Sequence, residues 1–113
     1  MEYKRFGVYT INCDPTIGSV INKTRPGIII SPNEMNRNLD TIIIVPITGS
    51  QRNNYPTRFH VEGHSKKGDY NGYVVLDQIR TVDKSRIYKY IGNLENKNIQ
   101  QLKKILKEML IDD

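Results

Sequence analysis

The chain has 113 residues, 37% of them hydrophobic and none of them Trp, which suits one domain (residues 1–113) around a single modest core of Ile, Leu, Val and Tyr. Seventeen Lys and Arg against twelve Asp and Glu leave a net charge of +5, a balance that favours a polyanionic partner. A single cysteine, Cys13, excludes an internal disulfide, and with no apolar run longer than Ile42 to Ile47 and no signal-like start after Met1, a soluble cytoplasmic protein is expected.

Taken in chain order, the first predicted strand is Gly7 to Asn12, followed by a long polar loop, Cys13 to Thr24, carrying Pro15, Gly18 and Ser19. Strands are then predicted at Gly27 to Ser31 and Thr41 to Ile47, with a short helix between them at Pro32 to Asn36. Ser31 can cap that helix and Pro32 can take its first position. A second long loop, Gly49 to Thr57, precedes strands at Arg58 to Glu62, Tyr73 to Asp77 and Ile87 to Asn93; Gly63 to Gly72 reads as a loop. Six short strands in so small a chain predict a strongly curved antiparallel sheet, partly closed into a barrel.

The chain ends in an amphipathic helix. Ile99, Leu102, Ile105, Leu106, Met109 and Leu110 recur at helical spacing, with Lys103, Lys104 and Lys107 on the opposite, solvated side and Asn96 or Asn98 as N-cap. Burial of such side chains is worth about 1.5–3 kcal/mol each before entropy, so this helix is expected to dock on the sheet or on a partner.

Two strings concentrate the chemistry. In Lys23-Thr24-Arg25-Pro26-Gly27, the proline pushes Arg25 into an extended conformation and aims its guanidinium from the start of a strand. In Val45-Pro46-Ile47-Thr48-Gly49, Thr48 ends another strand. A rigid planar cation and a hydroxyl donor at strand ends can cradle a phosphate. Taken alone, Arg25 reads first as a strand-edge salt bridge and Thr48 as a hydroxyl bonding its own backbone; the balance turns only with the strings that follow.

These strings do not stand alone. Gly7-Val8-Tyr9, Asp14-Pro15-Thr16-Ile17-Gly18-Ser19, Asn22-Lys23-Thr24-Arg25-Pro26, Pro46-Ile47-Thr48 and Leu76-Asp77-Gln78-Ile79-Arg80-Thr81-Val82-Asp83-Lys84 occur in this order over nearly the whole chain. Together they resemble the MazF/PemK family of toxin endoribonucleases, the mRNA interferases. The resemblance implies a mainly β fold with a C-terminal helix, an SH3-like small barrel of the MazF/CcdB/Kid type, paired into a homodimer whose groove binds single-stranded RNA. It also implies a type II toxin restrained by an antitoxin that threads a disordered acidic segment into that groove, a partner suited to the positive charge.

The implied reaction is sequence-specific and metal-independent, with no cofactor: the 2′-hydroxyl attacks its own phosphate, leaving a 2′,3′-cyclic phosphate and a 5′-hydroxyl. Arg25 would grip the charged phosphorane and Thr48 would donate to a non-bridging oxygen. The resemblance further gives the arginine a share in proton transfer; a guanidinium stays protonated, so it is a poor general base. Ile17, Gly18 and Ser19 would belong to a loop that covers RNA, and Gln78 would face the bases. From charge and position alone, Lys23 and Arg52 add phosphate contacts.

Other constellations are weaker. His60 shares strand parity with Arg58 and Glu62 and is expected on a solvated face, while His64 falls in the predicted loop; their H-x3-H spacing lacks the partners of a zinc site, and no metal is expected. Glu62, Asp69 and Asp77 are not brought together by any pattern. Two departures stand near the expected groove: Val20 where relatives commonly carry an acid, and Asn71-Gly72-Tyr73 where they commonly carry a serine. The competing functions are a non-catalytic RNA-binding or regulatory barrel and a gyrase poison of the CcdB type, whose C-terminal tryptophan this chain lacks.

Overall fold

The computed structural model describes residues 1–12, 24–49 and 56–112. Seven strands make one sheet: β1 (Gly7–Asn12), β2 (Thr24–Ile29), β3 (Thr41–Thr48), β4 (Arg58–Ser65), β5 (Gly68–Val75), β6 (Arg80–Asp83) and β7 (Ile87–Asn93). The order across the sheet is β4-β5-β3-β2-β1-β7, and β6 pairs with β3 beside β5. Every pairing is antiparallel. The two ends of this path meet through Ser65 Oγ of β4 donating to the Ile91 carbonyl of β7 at 2.7 Å, and Tyr70 Oη of the adjoining β5 donates to the Asn93 carbonyl at 3.1 Å, which nearly closes a barrel.

Side-chain alternation coats both faces of the sheet. The inner face carries Val8, Ile28, Val45, Ile47, Phe59, Val61, Tyr70 and Val74, and the C-terminal helix α2 (Asn96–Leu110) seals that core with Leu102 and Ile105. The outer face carries Tyr9, Ile11, Ile29, Ile42, Ile44, Val82 and Ile87 beneath Tyr3 and Tyr90. Tyr9 pins the N-terminal segment over this layer: its hydroxyl donates to the Glu2 carbonyl at 2.9 Å and accepts from the Lys4 N–H at 2.8 Å. Burial pushes its phenol above the ordinary value.

Several boundaries differ from those expected. β2 starts at Thr24, three residues early, because β1 supplies partners as far as Asn12 while the ladder to β3 begins only at Gly27; Pro26 thus sits where no bond from β3 is required. The segment expected to be a loop at 63–72 is instead a hairpin with a two-residue turn, so His64 lies in β4 rather than in a loop. A Cβ at Gly63 would fall 2.3 Å from the Tyr70 ring, so the glycine makes room for the aromatic that fills the barrel there. β5 ends at Val75, and residues 76–78 form a 3-10 turn rather than the last residues of a strand. β6 is an additional strand.

The helix between β2 and β3, α1 (Asn33–Asn38), begins after Pro32, which takes the cap position without a side-chain cap. Ser31 does not cap it: its hydroxyl donates to Asn36 Oδ1 and accepts from the Ile43 N–H, a buried polar knot tying α1 to β3. Glu95, not Asn96 or Asn98, takes the cap position of α2, without a side-chain cap bond, and Asn98 is buried. Lys103, Lys104 and Lys107 are exposed as expected, but Leu110 is 60% exposed and leaves the apolar stripe at its end.

Candidate active site

Arg25 and Thr48 lie on neighbouring strands. β2 runs antiparallel to β3 with Gly27 opposite Pro46 and Ile28 opposite Val45; the ladder ends there, and Arg25 and Thr48 each lie two residues beyond it, at the same end of the two strands. Both share the outer face, because Arg25 pairs with outward Ile11 across β1, and Thr48 alternates with inward Ile47. Arg25 is exposed, and among the described residues no carboxylate pairs with it. Thr48 is half-buried at the end of β3, held by the pairing of Thr48 with Tyr73 of β5.

The backbone at Thr48 is closely packed. A Cβ built on Gly72 would lie 2.4 Å from the Thr48 carbonyl oxygen and 2.9 Å from Ile47 Cγ2, so β5 approaches β3 as closely as only glycine allows. The departure at Gly72 therefore has a structural consequence in this chain: it sets the seating of Thr48.

Gln78 is exposed at the end of the 3-10 turn that starts at buried Leu76. That turn is clamped. Arg58 donates from Nε to Asp77 Oδ1 at 3.1 Å and from Nη2 to Oδ2 at 3.0 Å, Thr57 Oγ1 donates to Oδ1 at 3.0 Å, and the Leu76 N–H reaches the Thr57 carbonyl at 3.2 Å. The bidentate guanidinium holds the Asp77 carboxyl below its usual range despite some desolvation. Ile17, Gly18, Ser19, Lys23 and Arg52 lie outside the described residues, as do Cys13 and Val20.

His60 is exposed on the outer face of β4, with Nε2 2.6 Å from Asn71 Oδ1. His64 lies on the same face, but four residues of strand separate the two rings by about 13 Å, too far to share one metal ion. It is instead bracketed by Glu62 at 3.2 Å and Asp69 at 3.4 Å, and these acids, Glu62 foremost, raise its pKa. Two of the three carboxylates that no sequence pattern joins thus meet around His64, while Asp77 serves the turn. Strand parity finds the outward face of His60; which residues stand beside it requires knowing that β5 lies between β4 and β3.

Residues 4–110 match the family described as PemK-like, MazF-like toxin of type II toxin–antitoxin systems. The endoribonuclease MazF of Staphylococcus saprophyticus is 31% identical over 100 residues, covering 88% of this chain and 83% of that protein. Among solved structures, a mycobacterial endoribonuclease in complex with its cognate antitoxin superposes with a TM-score of 0.73 at 26% identity, covering 94% of this chain and 92% of that one. The MazE–MazF complex of Deinococcus radiodurans shares the fold, with a TM-score of 0.76 at 20% identity, covering 97% and 96%. The barrel, its terminal helix and the match along almost the whole chain lead to one assignment: this protein belongs to the PemK-like, MazF-like toxins of type II toxin–antitoxin systems.

Proposed function

We propose that this chain, an endoribonuclease of that family, cuts single-stranded RNA without a metal, using Arg25 and Thr48 on the reacting phosphate. The observation that supports this reading is that an exposed guanidinium and a strand-end hydroxyl leave the same end of the β2–β3 pair on one face of the sheet. The nucleophile is the substrate's own 2′-hydroxyl. Its oxygen bonds to phosphorus, its proton leaves, and the bond to the 5′-oxygen breaks as that oxygen gains a proton, giving a 2′,3′-cyclic phosphate and a 5′-hydroxyl.

The barrier lies in the doubly charged phosphorane, which a planar fork of N–H donors stabilises more than it stabilises the singly charged ground state. Thr48 adds a donor to a non-bridging oxygen. Gln78, on its clamped turn, is proposed to read a base, and Ile17, Gly18, Ser19, Lys23 and Arg52 to hold the strand around it. A homodimer in the cytoplasm, inhibited by an acidic antitoxin segment, completes the reading; the net charge of +5 supports an acidic occupant.

Incubation of the purified protein with a long transcript in EDTA tests the proposal. Discrete cuts whose 5′ products end in cyclic phosphate are expected. Cuts that vanish in EDTA, or that leave 5′-phosphates, would refute it.

A further inference from the structure

We propose that His60 and Tyr73 form a base-stacking subsite for a nucleotide flanking the scissile phosphate, an inference that rests on the nuclease reading above. The sheet builds a continuous row: His60 pairs with Tyr73, and Tyr73 pairs with Thr48. Directly opposed residues share a face, so both rings stand on the outer surface with Thr48 and, through its pairing with Ile11, Arg25. With strands about 4.8 Å apart, Tyr73 is one step and His60 two steps, roughly 10 Å, from Thr48. That is the reach of a base on a neighbouring nucleotide.

The two rings are set as a platform. Their centroids are 5.3 Å apart with planes inclined at 67°, an edge-to-face contact that leaves a ring face open to a third partner. Asn71 fixes the imidazole through its 2.6 Å contact with Nε2, so the ring is held although it is exposed. Neither residue belongs to either apolar cluster of the fold. On the same face of β4, Arg58 is committed to Asp77, which leaves His60 as the next group along the row that can receive a base. A stack on an aromatic face tolerates any base and favours the larger purines.

The test measures equilibrium binding of an RNA made uncuttable by a 2′-deoxy nucleotide at a mapped cleavage site, together with cutting of the all-RNA strand. In His60→Ala, Kd and KM are expected to rise on the order of tenfold, the scale of one stacked base, while kcat stays within about twofold. His60→Phe, which restores a ring face, is expected to recover most of the affinity, and Tyr73→Phe to retain it. An abasic residue at the flanking position that this subsite grips should weaken wild-type binding to the same degree and make His60→Ala no worse. Wild-type Kd in His60→Ala, or a loss that is equal on intact RNA and on every abasic strand, would overturn the subsite while wild-type cutting leaves the nuclease reading standing. A wild-type protein that neither binds nor cuts would overturn both.

Discussion

Gly72→Ala tests how tightly the fold seats Thr48. The new methyl group would start 2.4 Å from the Thr48 carbonyl oxygen, 2.9 Å from Ile47 Cγ2 and 3.1 Å from the Thr48 carbonyl carbon. Ordinary contact begins at 3.4 Å, so β5 and β3 must part by about 1 Å at this point. The obstacle is backbone, which cannot swing aside as a side-chain tip can. Overpacking of this kind costs about 1–3 kcal/mol, and at roughly 4 °C per kcal/mol for a domain of this size the midpoint should fall by about 4–12 °C. A displacement of about 1 Å in a reacting group can lower the rate on the order of 100-fold. Thermal melting by circular dichroism and a single-turnover cleavage assay below the lowered midpoint read the two effects separately. Gly49→Ala, next to Thr48 but with nothing within 4 Å of the added carbon, is the control and should melt and cut as the wild type does. Gly72→Ala that keeps both the wild-type midpoint and the wild-type rate would refute the reasoning.

Three further expectations concern polar groups. Asp77 has its folded pKa lowered from 3.8, so its pairing stabilises the fold fully above that value and fades as pH falls through the folded pKa. With the Asp77 side chain 36% exposed, the effect is below about 1 kcal/mol, and urea midpoints of wild type and Asp77→Asn should converge as pH falls below about 4, the free carboxyl value. His64 has its pKa raised above 6.5, so its contribution is present below pH 6.5 and is lost as pH rises through the folded value. Its imidazole resonances should titrate above 6.5 and move back toward it in Glu62→Gln; an unchanged titration would contradict the bracketing. Ser31→Ala strips the half-buried Ile43 N–H and the buried Asn36 of a partner and should destabilise by about 1–3 kcal/mol, measured by urea unfolding.

The elements most legible in the sequence were those whose pattern is strong within a single stretch. The strands at Gly7–Asn12 and Ile87–Asn93 appear with their predicted limits, and the terminal helix follows its apolar spacing. β6 was not legible because Arg80–Asp83 has one buried apolar residue, Val82, and becomes a strand only through pairing with Thr41–Ile44. The middle of the β4–β5 hairpin, residues 63–72, was hidden for a different reason. Its outer residues, among them His64, Asp69 and Asn71, face solvent, and two of its inner positions, Gly63 and Gly72, are glycines, so the alternation that marks a strand is erased. At the site, the residue types at Arg25 and Thr48 could be chosen from the chain, but their lying at the same end of neighbouring strands is a property of the β2–β3 pairing. The row from Thr48 through Tyr73 to His60 depends on β5 lying beside β3, which sequence order alone does not give.

The central claim concerns the charge that Arg25 brings to the phosphate. The most direct measurement is the single-turnover cleavage rate of Arg25→Ala in EDTA, on a transcript the wild type cuts, with the variant's melting midpoint taken in parallel. A loss of about 100- to 1,000-fold is expected, as for removal of a principal transition-state donor, with the midpoint unchanged because the side chain is exposed. Cutting at the wild-type rate by a folded Arg25→Ala would contradict it.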